Sequence, residues 1–236
     1  MTHQAEISTE EEFQGAARSR MYRLLAGAFA FPEEAFHQAS LAGEFLSEVL
    51  EVAAGLPYPL PLEEGEPPRA ALRDVPADYV EFQSEYVRLF DVGVPRPPCP
   101  LFGGLYLGSR RAVMEEVTRF YHHFGLSLGG DSREMPDHIT TELEFMHFLT
   151  FEEVSALQRK KDRGPYVRAE RDFLQRHPAR WVPQARARAG KQRAAPFFLG
   201  LLDLLEAFLL ADLAYLASLV EPGAPDVALE ATEAEP

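Results

Sequence analysis

The chain is short of the residues and patterns on which several kinds of protein depend. It has one cysteine, Cys99, so neither an internal disulfide nor a cysteine-rich zinc site can form within its 236 residues. Positive charge is scarce: 23 Lys and Arg face 37 Asp and Glu, a net charge of −14. Neutralising phosphates takes a clustered positive surface, so nucleic-acid binding is not expected. No apolar run spans a bilayer without acids. The longest, PFFLGLLDLLEAFLLADLAYLASLV (196–220), carries Asp203, Glu206 and Asp212, each costly at mid-membrane. It reads as a buried helix, and no stable membrane insertion is expected. The N-terminus has no apolar core followed by a cleavage site, from which a cytoplasmic protein is expected. No alternating apolar run bounded by hairpin signals occurs. The G-x-S-x-G, Walker, dinucleotide-glycine and H-E-x-x-H patterns are also missing. Cys99 lies between prolines in PPCP with only Arg96 nearby, a setting for a structural thiol rather than a nucleophile.

What is present is apolar surface in helical register. At 46% hydrophobic residues, the chain can bury roughly 70–75% of the surface its unfolded form exposes, enough for one core. Phe13, Ala17, Met21, Leu24, Leu25 and Ala28 follow one helix face, and Pro32 ends it. A second helical pattern covers about 33–54, and the prolines and glycines of 55–75 predict a loop. Tyr79, Phe82, Tyr86 and Leu89 predict a helix over 77–90, before the extended loop DVGVPRPPCPLFGG. Further helices are expected over 109–124, from 137 to about Arg159, over 165–176 and over 196–220. Pro178 predicts a break, followed by a turn and a loop to about Ala194. The fold class is all-α: a single helical bundle over 13–220, between a flexible start (1–12) and a disordered acidic tail (221–236) with five acids and no base. Charge is uneven along it. Residues 159–193 hold 12 of the 23 Lys and Arg and only three acids, a local charge of +9 on a remainder of −23. An acidic body of this kind favours a cationic partner, and it also serves plain solubility.

The segment REMPDHITTELEFMHF (133–148) concentrates ionisable residues at a helix start. Asp137 is placed to cap the amides of residues 139 and 140. His138, Glu142, Phe145 and Leu149 share one line of the helix, so His138 and Glu142 can pair. Glu144 and His147 form an E-x-x-H, as do Glu34 and His37, and two such motifs plus two further glutamates make the di-iron site of ferritin-like bundles. Against that reading, Glu34 lies in the first turn after Pro32, and Glu144 has the capping-box spacing from Thr141.

Three segments in fixed order carry a resemblance. EYVRLF (85–90), PRPPCPLFGGLYL (95–107) and EMPDHITTELEFM (134–146) resemble the TorD/DmsD/NarJ family of chaperones that mature molybdenum oxidoreductases, supported by YRLLAGAF (22–29) and RDFLQRHPARWVP (171–183). The similarity covers about 15–220. Met135 stands where the family often has proline, and Cys99 where several members have a larger aromatic. The resemblance implies an all-helical, non-catalytic protein without a metal or cofactor. It would be a monomer or homodimer that binds the twin-arginine signal or another segment of an apo catalytic subunit before cofactor insertion and export. Two guanidiniums followed by an apolar segment need carboxylates beside a hydrophobic groove. Tyr86, Leu89, Phe90, Pro98 and Tyr106 are the candidate wall, Asp137 and Glu142 the candidate acceptors, and His138 the orienting group. Tyr86 and Leu89 would serve equally as core, and Asp137 equally as a cap.

Overall fold

The computed structural model describes residues 9–127, 135–220, 227 and 229, and among these the regular structure is helical. Helix α1 spans Glu10–Phe29 and starts where Thr9 Oγ1 accepts the Glu12 amide at 3.2 Å, with Glu10, Glu11 and Glu12 favourably placed in its first turn. Residues 1–8 of the expected flexible start lie outside the described residues, and Glu10 to Glu12 are helical. The pattern over 33–54 divides into α2 (Glu34–Leu41) and α3 (Glu44–Ala53). Gly43, at φ +77°, takes a left-handed conformation that ends one helix and caps the next, a break that apolar periodicity does not register.

Two segments expected to be loops are helices. In α4 (Pro67–Arg73) both prolines occupy the first turn, where no amide donor is needed, and Leu72 is buried in a helix that docks on the C-terminal one. In α9 (Pro178–Lys191) Pro178 again starts the helix. Trp181, Val182, Ala185 and Ala189 form one buried face, which offsets the cost of Pro183 within the helix. The remaining elements agree with the periodicity to within a few residues: α5 (Tyr79–Tyr86), continued by a wide helical turn Val87–Asp91, then α6 (Arg110–His123), α7 (Ile139–Gln158), α8 (Gly164–Arg176) and α10 (Pro196–Leu219). No helix among the described residues is long and apolar enough to cross a membrane.

Helix α1 packs along α7, and α10 packs against α4, α8 and α9. Between these layers lies an aromatic-rich core in which Phe82, Phe197, Phe198, Phe208, Tyr22 and Trp181 are almost inaccessible. Arg18 is buried in it as well. Its guanidinium donates to Glu153 of α7 at 2.7 Å, to Glu170 of α8, and to Asp212 of α10 at 2.6 and 3.1 Å. Tyr22 and Tyr58 also donate to Asp212. Asp212, read in the sequence only as an obstacle to a membrane span, is thus the anchor of a four-helix ionic knot. The expected tail, 221–236, lies outside the described residues except for Val227 and Leu229, which pack against the core.

Candidate functional site

The loop after the wide turn, the start of α7 and the face of α9 meet at one place. The loop is fastened to α7 by backbone bonds: the Ile139 amide donates to Leu101 O at 2.9 Å, the Gly103 amide to Asp137 O at 2.8 Å, and Phe102 bridges His138. A short tight turn, Gly103–Leu105, follows. Gly103 and Gly104 are required by proximity. A Cβ on Gly103 would lie 2.9 Å from Trp181 Nε1, and one on Gly104 2.9 Å from Asp137 Oδ2 and 2.8 Å from Arg110.

Asp137 does not cap α7. It precedes the cap position by one residue, and its fully buried carboxyl instead accepts the Gly104 amide at 3.0 Å, with Arg110 Nε at 4.0 Å; Oδ1 has no partner among the described atoms. Burial pushes this carboxyl above its usual value. The cap is His138, whose Nδ1 accepts the Thr140 amide at 3.3 Å and meets Thr140 Oγ1 at 2.7 Å. Its ring packs edge-on against Phe102, and burial lowers its pKa to about 4, so it is neutral at physiological pH. Glu142 does not pair with it: its buried carboxyl accepts Trp181 Nε1–H at 2.9 Å and is pushed well above the usual range by burial. Trp181 stacks on Tyr106 at 5.3 Å, and the Arg188 guanidinium covers the outer Tyr106 face at 4.2 Å. Trp181, Arg188 and the glycine pair were not singled out in the sequence. Trp181, Ala185 and Arg188 do share a helical period, hidden by Pro183.

The other nominated side chains lie deeper. Leu89 is inaccessible, Phe90 and Tyr86 nearly so, and the Tyr86 hydroxyl donates to Phe29 O at 2.9 Å. They support the loop from below and offer no open wall. Pro98 and Tyr106 are half-buried, and Cys99 is fully buried with its thiol raised to about 11 by burial. The exposed apolar residues beside this region are Val92 and Val94 in the loop and Phe31, which meets Tyr86 edge-on at 5.7 Å. The two E-x-x-H motifs serve separate structural roles. His37 Nε2 meets Pro76 O at 2.8 Å and its ring packs on Phe82, whereas His147 Nδ1 meets Ser19 Oγ and Ser19 O at 2.8 and 3.0 Å. Glu34 and Glu144 are exposed, and no cluster of three metal-ligating residues forms among the described residues.

The sequence pattern of the family described as nitrate reductase delta subunit matches residues 65–187, the stretch that contains the loop, the start of α7 and most of α9. The perchlorate reductase assembly chaperone protein of Dechloromonas aromatica is 33% identical over 215 residues, covering 88% of this chain and 93% of that one. The chain belongs to the TorD/NarJ family of redox-enzyme maturation proteins. Two other members of this family are similar over shorter spans. The selenate reductase assembly chaperone protein of Thauera selenatis is 40% identical over 45% of this chain and 56% of its own length. The dimethyl sulfide dehydrogenase assembly chaperone protein of Rhodovulum sulfidophilum is 33% identical over 68% and 64%. Membership makes this an assembly chaperone rather than an enzyme. At the site itself, the Asp137 and Glu142 side chains are buried.

Proposed function

We propose that this protein is a cytoplasmic chaperone for the apo catalytic subunit of a molybdenum oxidoreductase, and that it holds the subunit's twin-arginine signal or another of its segments until cofactor insertion is complete. The observation that carries the reading is the near full-length similarity to an assembly chaperone of a reductase. The polar set suits this task by shaping a loop. Asp137 and Glu142 are closed off from solvent, so they hold the Gly103–Tyr106 turn against α7 and α9, with His138 fixing the start of α7. Tyr86, Leu89 and Phe90 set the height of the loop, and Pro98 and Tyr106 lie at its surface. The client's apolar segment would meet Val92, Val94 and Phe31, and its guanidiniums would meet the exposed carboxylate of Asp91 at the loop's start.

Calorimetric titration of the full chain with a twin-arginine signal peptide tests this. Affinity should fall as salt rises, because exposed charge pairs are screened beyond about 8–10 Å at physiological ionic strength. It should fall further in Asp91→Asn. Binding indifferent to both salt and this substitution would remove the electrostatic part. Co-purification of an apo subunit lacking its signal would transfer the reading to an internal segment.

A further inference from the structure

The loop proposed to receive the client ends among arginines from three elements. Arg110, at the start of α6, lays its guanidinium over the Phe102 ring at 5.3 Å, and its stem abuts the turn, since a Cβ on Gly104 would lie 2.8 Å from Arg110 Cγ. Arg188 of α9 lies over Tyr106 at 4.2 Å. Burial raises the Tyr106 hydroxyl above its usual value, and Arg188 and the exposed Arg96 of the loop itself both act against that rise, which places all three groups close together. Three cations therefore flank one short stretch, residues 102–106, in a chain of net charge −14.

Their charge is not answered from within. Arg96 and Arg188 have no carboxylate partner among the described residues, and Arg110 Nε comes only to 4.0 Å from Asp137 Oδ2, longer than a hydrogen bond. The acids beneath the turn, Asp137 and Glu142, are fully buried, each gives an oxygen to a neighbouring N–H, and burial disfavours the charge of both. The loop's own acid, Asp91, stands at its opposite end in the sequence. The Tyr106 hydroxyl adds one more donor, with no hydrogen-bond partner among the described atoms. The stretch thus presents positive charge and donors without an acceptor. A guanidinium stacked on a ring uses its face and keeps its edge free, and that edge is the fork that takes a carboxylate through two parallel bonds.

We propose that residues 102–106, with the guanidiniums of Arg96, Arg110 and Arg188, form a subsite for the carboxylate of an acidic residue in the bound client segment. The inference rests on the chaperone reading and adds a requirement to it: the segment carries an acid beside its apolar residues, for which the same loop presents the exposed Val92 and Val94. Arginines received at Asp91 and an acid received at Arg96, Arg110 and Arg188 give the segment one direction along the loop.

The test is calorimetric titration of the full chain, at fixed salt, with a set of synthetic peptides. Each has two arginines followed by an apolar stretch in which a single glutamate is moved from position to position, and each has a counterpart with glutamine in its place. At one position or two adjacent ones, the glutamate peptide should bind several-fold more tightly than its counterpart. That preference should disappear in Arg188→Gln and shrink in Arg96→Gln, while the glutamine peptides bind both variants as they bind wild type. The Arg96 side chain is exposed and makes no hydrogen bond among the described residues, so its replacement leaves the packing intact. Binding of every peptide without a glutamate preference, or a preference that survives both substitutions, would overturn the subsite and leave the chaperone reading standing. If wild type binds no peptide of the set, the loop is not the client's seat and the subsite falls with it.

Discussion

The Asp137 carboxyl accepts one backbone donor, the Gly104 amide, and both groups are buried. Asp137→Ala therefore strands a donor inside the protein, at a cost of about 1–3 kcal/mol in urea unfolding, whereas Asp137→Asn keeps an acceptor in place and should lose less. Equal losses would mean that the charge, not the hydrogen bond, matters. Glu142 sets a pH dependence. Burial raises its carboxyl well above the usual range, so the folded chain retains a proton that the unfolded chain releases above about pH 4.3. The stability this group contributes is complete below the unfolded value and falls as pH rises towards the folded one, by up to about 1.4 kcal/mol per unit. Glu142→Gln still accepts the Trp181 N–H and does not titrate. Wild type should lose stability relative to this variant as pH rises above the unfolded value of about 4.3. Parallel stability profiles would show that the carboxyl is ionised in the fold.

At the scale of elements, the Gly103–Leu105 turn is clamped between α7 and α9, with an indole on one side and a carboxyl on the other. Gly103→Ala would put a methyl 2.9 Å from Trp181 Nε1, a ring already fixed by Glu142 and by its stack on Tyr106. The turn must shift outward, so a loss of about 1–3 kcal/mol is expected together with a change in Trp181 fluorescence, the signal of the only tryptophan in the chain. Unchanged stability and emission would show that the clamp is looser than its distances imply. Apolar periodicity located α1, α5, α6, α7, α8 and α10. It missed α4 and α9 because their prolines look like breakers, when three of them mark first turns and Pro183 is carried by the burial of Trp181 and Ala185.

For the whole molecule, the knot around Arg18 joins α1, α7, α8 and α10 through groups far apart in the chain. Burial pushes Glu170 above its ordinary value despite the neighbouring guanidinium, and Arg18 also meets Glu153 and Asp212, with Arg163 adding a second cation at Glu153 from the rim. Arg18→Met leaves buried carboxylates without their cation. A loss of about 3–5 kcal/mol in urea unfolding is expected, compared with under about 1 kcal/mol for the exposed Arg20→Met. A small loss at Arg18 would mean that the acids simply take up protons.

The helical class and most helix positions were contained in the sequence, because they depend on local periodicity. The partners of the ionisable residues were not. Sequence spacing pairs His138 with Glu142 and sets Asp137 over its own helix. Tertiary packing instead brings Trp181 from 39 residues away and Gly104 from 33, and gives Arg18 an acid 194 residues distant. A buried polar group takes whichever donor or acceptor the packed helices carry to it, since leaving it unpaired costs more than any local preference contributes.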